Sequence, residues 1–141
     1  MTNGKMFVYS FYRFKKIKNI KYFKNKIKNL NIHNKIYGTV LIASEGINGS
    51  ISGQKKEIDN FLINIKKLLK IKKISLKKNK TNFIPFYRLK IRLKNEIVTI
   101  GNQNINPEKK RGKFIDPKNW HKIISNKEYF IIDTRNKYEI D

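Results

Sequence analysis

Cysteine is absent from this sequence of 141 residues. Disulfides, thiolate metal sites and cysteine nucleophiles are therefore excluded within the chain. Its two histidines, His33 and His121, have no carboxylate at ligand spacing, so we expect no metal site. No apolar run approaches the roughly 18 residues of a membrane span, and the N-terminus lacks the apolar core of a secretory signal. We therefore expect a folded, cytoplasmic protein with no membrane partner.

Acidic residues are scarce: 10 stand against 33 basic ones, which gives a net charge of +23. Such an excess indicates a polyanionic partner. A second explanation is codon bias in an A+T-rich genome, because the chain has 28 lysines but only five arginines. Residues 1–96 carry 24 basic and four acidic side chains, whereas residues 97–141 carry nine and six. A basic partner surface would therefore belong to the first part of the chain.

Hydrophobic patterning predicts a β-α-β-β-α-β order over residues 1–105, which is the ferredoxin-like plan. Further strands are expected at Phe86–Leu93 and Glu96–Gly101. The preceding elements are a strand at Lys5–Phe14, a helix over 17–30, a strand at Ile36–Ser44, a turn-rich break at Glu45–Gly49 with a return strand at Ser50–Ser52, a helix after Gly53 and an edge strand at Lys72–Lys78.

The composition then shifts to polar turn residues, which indicates a linker at 106–112. Beyond it we expect a short strand at Lys113–Ile115, a helix capped by Asp116 with Pro117 at its first position, and a buried strand at Tyr129–Ile132. Trp120, Ile123 and Ile124 would form the apolar face of that helix. One such unit cannot bury a core alone. Residues 113–141 are therefore expected to be the incomplete start of a second domain, cut short by a genuine truncation, a frameshift or fragmentation.

Three stretches offer candidate site residues. Glycines 46, 49 and 53 could form a ligand loop with contacts from Glu45 and Asn48, or simply a tight turn that needs positive φ. Asp133 and Arg135 could be a catalytic pair at a strand end or an ion pair that holds a turn.

In the third stretch, alternation places four cations on one strand face about 6.6 Å apart, while Tyr87, Leu89, Ile91 and Leu93 point the other way. This row is either a phosphate-binding surface or a solvated face. The nucleic-acid candidates are Arg88, Lys90, Arg92 and Lys94 with the adjoining Tyr87.

Long motifs in these stretches resemble one family. They are Gly38-Thr-Val-Leu-Ile-Ala-Ser-Glu-Gly-Ile-Asn-Gly49, then Pro85-Phe-Tyr-Arg88 with Lys90-x-Arg92-x-Lys94-x-Glu96-Ile-Val-Thr-x-Gly101, then Asp116-Pro117-x-x-Trp120 and Asp133-Thr-Arg-Asn-x-Tyr-Glu139. In this order they are similar to the N-terminal part of the oxygen-dependent tRNA uridine hydroxylases (TrhO), a rhodanese-domain family.

The resemblance implies an α+β chain: a ferredoxin-like (acylphosphatase-like) domain at 1–105, a linker at 106–112 and a truncated α/β rhodanese start at 113–141. It also implies an oxidoreductase that hydroxylates C5 of the wobble uridine in tRNA, with tRNA as partner, molecular oxygen as co-substrate and no other identifiable cofactor. The family's reactive cysteine lies in a rhodanese loop that this chain lacks, so no catalytic residue is carried over and we expect the chain itself to be inactive.

Two alternatives remain at this point. One is a stand-alone RNA-binding remnant without catalysis. The other is an acylphosphatase-like hydrolase, although an Arg-bearing phosphate loop after the first strand is not evident around Arg13–Lys18.

Overall fold

The computed structural model describes residues 5–31, 35–98, 101, 112–135 and 137–140. It divides the chain into two compact units, residues 1–110 and residues 111–141. Each unit is described by itself. None of the helices in the described ranges is both long and apolar enough to span a membrane.

The first unit contains a five-stranded sheet. Its strands are β1 (Met6–Phe14), β2 (Tyr37–Ala43), β3 (Gly46–Gln54), β4 (Ser75–Thr81) and β5 (Leu89–Leu93). They lie in the order β4-β1-β3-β2-β5. All neighbours are antiparallel except β2 and β5, which run parallel. The sheet is therefore mixed, with β4 and β5 as its two edges.

Two helices pack on one face of this sheet. Helix α1 (Ile20–Leu30) begins at Asn19, whose side chain accepts a hydrogen bond from the Tyr22 amide at 2.9 Å. Helix α2 (Lys55–Leu69) ends at Lys70 in the left-handed conformation. Their apolar stripes and the facing side chains of β1, β2 and β3 form one core. Its members that are at most 2% exposed include Tyr9, Phe11, Ile27, Val40, Ile42, Ile47, Ile51, Ile58, Phe61 and Ile65.

The other face of the sheet carries polar side chains beside apolar ones such as Val8, Phe14 and Leu41. The strand register places Ser10, Ser50 and Thr39 side by side on it, and the Ser10 and Ser50 hydroxyl oxygens lie 3.0 Å apart. Neither α1 nor α2 covers this face, because both contribute to the single core on the opposite side. We call it the open face.

A break between β2 and β3 is confirmed, but its predicted extent over Glu45–Gly49 is wrong. The turn comprises only Ser44 and Glu45, and β3 already begins at Gly46. A Cβ atom at Gly49 would lie 2.8 Å from the Phe11 ring and 2.9 Å from the Thr39 carbonyl oxygen. Glycine stands here because the neighbouring strand and ring approach its backbone closely, not because a loop needs flexibility.

The strand predicted at Glu96–Gly101 is also wrong over residues 96–98, which form no strand, while residues 99 and 100 lie outside the described ranges. Strand β5 is shorter than predicted because it begins at Leu89 and pairs only with residues 38–42 of the β2 region. The predicted edge strand at Lys72–Lys78 is confirmed but begins later, at Ser75.

In the second unit, Asp116 caps a 3₁₀ turn at Pro117–Asn119 by accepting from the Lys118 amide at 3.0 Å, and α3 (Trp120–Ile124) follows. The strands predicted at Lys113–Ile115 and Tyr129–Ile132 are wrong. Phe130 is 96% exposed. The described part of this unit contains no strand that could supply a hydrogen-bonding ladder. Residues 106–111 of the predicted linker lie outside the described residues, and the rhodanese assignment stays a prediction.

Candidate nucleic-acid interface

The cations of β5 lie along one edge of the open face. The register sets Lys90 opposite Thr39 and Arg92 opposite Leu41, whose side chains belong to that face. Leu89, Ile91 and Leu93 instead pack against the core from the helix side. The predicted alternation is confirmed for this strand, and Arg88, Lys90, Arg92 and Lys94 are all exposed.

This basic row has no acidic counterpart within the described residues. None of its four cations forms an ion pair with another described residue, unlike Lys55 with Asp59 or Arg135 with Asp133. The sequence carries no acidic residue between Lys66 and Asn95, a span that covers both sheet edges. At the opposite edge, Lys77 of β4 pairs with Ser10 and so adds a cation to the open face. The open face is therefore bordered by positive charge on both sides.

Tyr87 departs from the prediction. It precedes β5 and is 87% exposed, so it does not share the half-buried environment of Leu89. It belongs to a crossover segment, residues 82–88, that connects the two sheet edges. This segment borders a groove of about 910 Å³, whose lining includes Lys5, Lys35, Tyr37, Phe83, Phe86 and Tyr87.

A second, smaller groove of about 370 Å³ adjoins the first, because Phe86 and Tyr87 line both. Its other lining residues include Thr39, Arg88 and Lys90. The basic row therefore leads directly to the aromatic crossover. Sequence reasoning missed Phe83 and Lys35. The signal for Phe83 was the run Phe83-Ile-Pro-Phe-Tyr87, which holds three aromatic residues outside any predicted helix.

Glu45 and Asn48 come together, but around the backbone of Ile97. A carboxylate oxygen of Glu45 accepts hydrogen bonds from the amides of Ile97 at 2.5 Å and Val98 at 3.4 Å. The Asn48 side-chain amide donates to the Ile97 carbonyl at 3.4 Å. Ile97 itself is only 4% exposed. In this arrangement the two side chains anchor the segment after β5, and a role in ligand contact stays a prediction.

The loop after β1 is occupied by internal bonds. The Lys15 amide donates to the Glu45 carbonyl, and the Ile17 amide donates to the Ser44 carbonyl, both at 2.8 Å. Arg13 pairs with Ile47, so its side chain lies on the helix-covered side of the sheet, and its buried Nε has no hydrogen-bond partner in the described structure. These two amides are not available to a phosphate, which weighs against the hydrolase alternative.

Asp133 and Arg135 form a local ion pair. The guanidinium Nε donates to both carboxylate oxygens at 3.1 Å, and Nη2 lies 2.6 Å from Oδ2. The Arg135 amide donates to the same carboxylate at 3.0 Å. These bonds, the side-chain ones first, lower the pKa of Asp133 to about 2. The geometry is that of an exposed pair that holds a turn.

A five-stranded mixed sheet with two helices on one face defines the first unit as an acylphosphatase-like, ferredoxin-type α+β domain. The family model of the UPF0176 acylphosphatase like domain matches residues 6–97, and the chain belongs to this family.

One solved structure agrees with the fold. The chain is similar to the dark-state structure of the BLUF protein BlrB, at 11% identity and a TM-score of 0.54, covering 65% of this chain and 75% of that one. An acylphosphatase from Coxiella burnetii matches at 10% identity and a TM-score of 0.46, covering 63% of this chain and 94% of that one. Likeness at such identities concerns the fold alone.

Proposed function

We propose that this chain contributes the tRNA-binding domain of an oxygen-dependent tRNA uridine hydroxylase, which hydroxylates C5 of the wobble uridine with molecular oxygen as co-substrate. Membership of the UPF0176 domain family and the motif resemblance over residues 38–139 support this proposal. The observation that carries the binding role is the exposed basic row Arg88–Lys94, which lies on the open face without acidic partners among the described residues.

The spacing of this row suits a nucleic-acid backbone. Alternate residues of a strand lie about 6.6 Å apart, which is of the same order as the distance between successive phosphates on one strand. Arg88 and Arg92 can each offer two parallel donors to a phosphate, unlike lysine. Serine and threonine hydroxyls of the open face adjoin the row and supply neutral donors to the same ligand.

The chemical step is not assigned to any residue of this chain. By the resemblance, the reactive group is a rhodanese cysteine, and the sequence contains no cysteine. We therefore expect the purified 141-residue protein to bind tRNA without forming hydroxyuridine, as measured by mass spectrometry of digested tRNA. Hydroxyuridine formed by this protein would contradict the assignment of the chemistry to a cysteine.

The binding role is tested by the salt dependence of affinity. Arg88→Ala with Arg92→Ala removes two phosphate contacts, so the slope of log K against log salt should become shallower by about 1.8 for a duplex-like site. The control is Lys56→Ala with Lys67→Ala, which removes the same charge from exposed positions on α2. If both double variants change the slope equally, the β5 row is only a solvated face.

A stand-alone RNA-binding module is the second candidate, and the absence of cysteine favours it. It predicts the same binding results. Adding the purified chain together with a separately expressed, cysteine-bearing rhodanese domain of the family to a cell extract that lacks the gene separates the two, because only a hydroxylase component would restore hydroxyuridine to tRNA.

A further inference from the structure

The crossover segment 82–88 presents a cluster of large apolar side chains to solvent. Tyr87 is 87% exposed, Phe83 is 69% exposed and Ile84 is 58% exposed. All three line the larger groove at one end of the sheet. Large apolar groups gathered in one exposed groove mark a binding site more often than chance exposure.

The segment is held in place at both ends. The Thr81 hydroxyl accepts from the Phe83 amide and donates to the Phe83 carbonyl, each at 3.2 Å. At the other end, the Gly38 amide donates to the Arg88 carbonyl at 3.0 Å. Pro85 fixes one backbone torsion between these anchors. The backbone that carries the aromatic side chains is thus hydrogen-bonded to strand residues at both ends.

The charge around the groove selects an anion. Lys5 and Lys35 line it, whereas Glu57 is the one acidic residue in its lining. The adjoining groove adds Arg88 and Lys90 beside Tyr87. A ligand that follows the basic row would therefore pass Lys90 and Arg88 and then reach the aromatic side chains.

We propose that this groove binds unpaired nucleobases of an RNA whose backbone lies on the basic row, with Tyr87 and Phe83 as stacking platforms. The proposal rests on the function proposed above and specifies which part of the RNA is recognised. In a duplex the base faces are stacked on one another, so exposed aromatic rings gain nothing from paired bases. Bases in a loop or a single strand offer both faces, and lysines beside the rings neutralise the neighbouring phosphates.

The test compares two RNAs: a hairpin with an unpaired loop, and a blunt duplex with the same number of phosphates. The hairpin loop carries 2-aminopurine, whose fluorescence falls when it stacks on an aromatic ring. Tyr87→Ala should weaken hairpin binding by about fivefold to about 150-fold, leave duplex binding unchanged and reduce the quenching, since Phe83 remains. The salt slope for the hairpin should stay the same, because no charge is removed. Tyr87→Phe should retain affinity and quenching.

The matched control is Tyr22→Ala, which removes a tyrosine of α1 that is 57% exposed. It should not alter the affinity for the hairpin or for the duplex. Equal weakening of hairpin and duplex by Tyr87→Ala, or no weakening, would overturn the base-stacking site while leaving the basic row intact. If the unmutated protein binds neither RNA, the proposed function is overturned as well. If the unmutated protein forms a dimer and causes no quenching, and Tyr87→Ala abolishes the dimer, then the groove binds a second copy of the chain.

Discussion

Replacement of Glu45 separates an anchoring role from a ligand-binding role at the turn between β2 and β3. In Glu45→Ala, the amides of Ile97 and Val98 lose the carboxylate that accepts from them at 2.5 Å and 3.4 Å. Hydrogen bonds to a charged group stabilise a fold by about 1.5–3 kcal/mol when they are shielded from solvent. Ile97, now 4% exposed, would also lose part of its burial if the segment detached.

A loss of about 2 kcal/mol lowers the Tm of a domain of this size by roughly 8–16 °C. Thermal unfolding followed by circular dichroism measures this shift. Glu45→Gln should lower Tm less, because its side-chain oxygen can still accept from both amides, although without charge. Affinity for tRNA at a temperature well below Tm should not change for either variant.

The opposite pattern would refute this reasoning. If Glu45→Ala leaves Tm unchanged but weakens tRNA binding, the carboxylate contacts the ligand or one of its counterions. In that case the bonds to Ile97 and Val98 would have no consequence for stability. Asn48→Ala is a companion measurement with a smaller expected loss, since its bond to Ile97 is long, at 3.4 Å, and involves no charge.

Two further predictions concern strand packing and the second unit. Gly38→Ala should destabilise the first unit by at least about 3 kcal/mol, because the added Cβ would lie 2.2 Å from the Ser50 carbonyl oxygen at a φ of +129°; urea unfolding measures the loss. Gly112→Ala, where a Cβ meets nothing within 4 Å, is its control, and an equally large loss there would contradict the steric explanation. Carboxyl-carbon NMR should titrate Asp133 with a pKa of about 2, and Arg135→Gln should raise that pKa toward 3.8. Because the folded pKa is lowered, the contribution of this pair is complete above pH 3.8 and disappears as the pH falls through about 2. An unchanged midpoint in Arg135→Gln would show that the guanidinium is not the cause.

Element type in the first unit was predictable because each element buries one stripe or one face. Ile58, Phe61 and Ile65 recur at helical spacing and are fully buried in α2. Leu89, Ile91 and Leu93 alternate with cations and pack against the core. A period of 3.6 or 2 is visible in the sequence wherever one side of an element faces water.

The glycine-rich stretch was misread because its constraint is non-local. At position 49 a side chain is excluded by the Phe11 ring of another strand. At position 46 it is excluded by the Arg13 carbonyl, whose oxygen would lie 2.2 Å from an added Cβ. Nothing in the local sequence distinguishes such a glycine from one in a turn. The strand predicted over Glu96–Val98 does not form for a related reason: the amides of Ile97 and Val98 donate to the Glu45 side chain, 52 and 53 positions earlier, and not to a neighbouring strand.

The lysine excess is weaker evidence for RNA binding than the placement of particular cations. Several lysines have local partners away from the open face: Lys55 pairs with Asp59 at 2.9 Å, and Lys78 lies 5.1 Å from the centre of the Tyr9 ring. Lysines also occupy the solvent side of both helices, where no ligand is needed to explain them. The β5 row differs because it contains two of the five arginines, lacks acidic partners in the described structure and borders an exposed aromatic groove. Codon bias toward lysine produces none of these three properties, so the binding proposal depends on this row and not on the net charge.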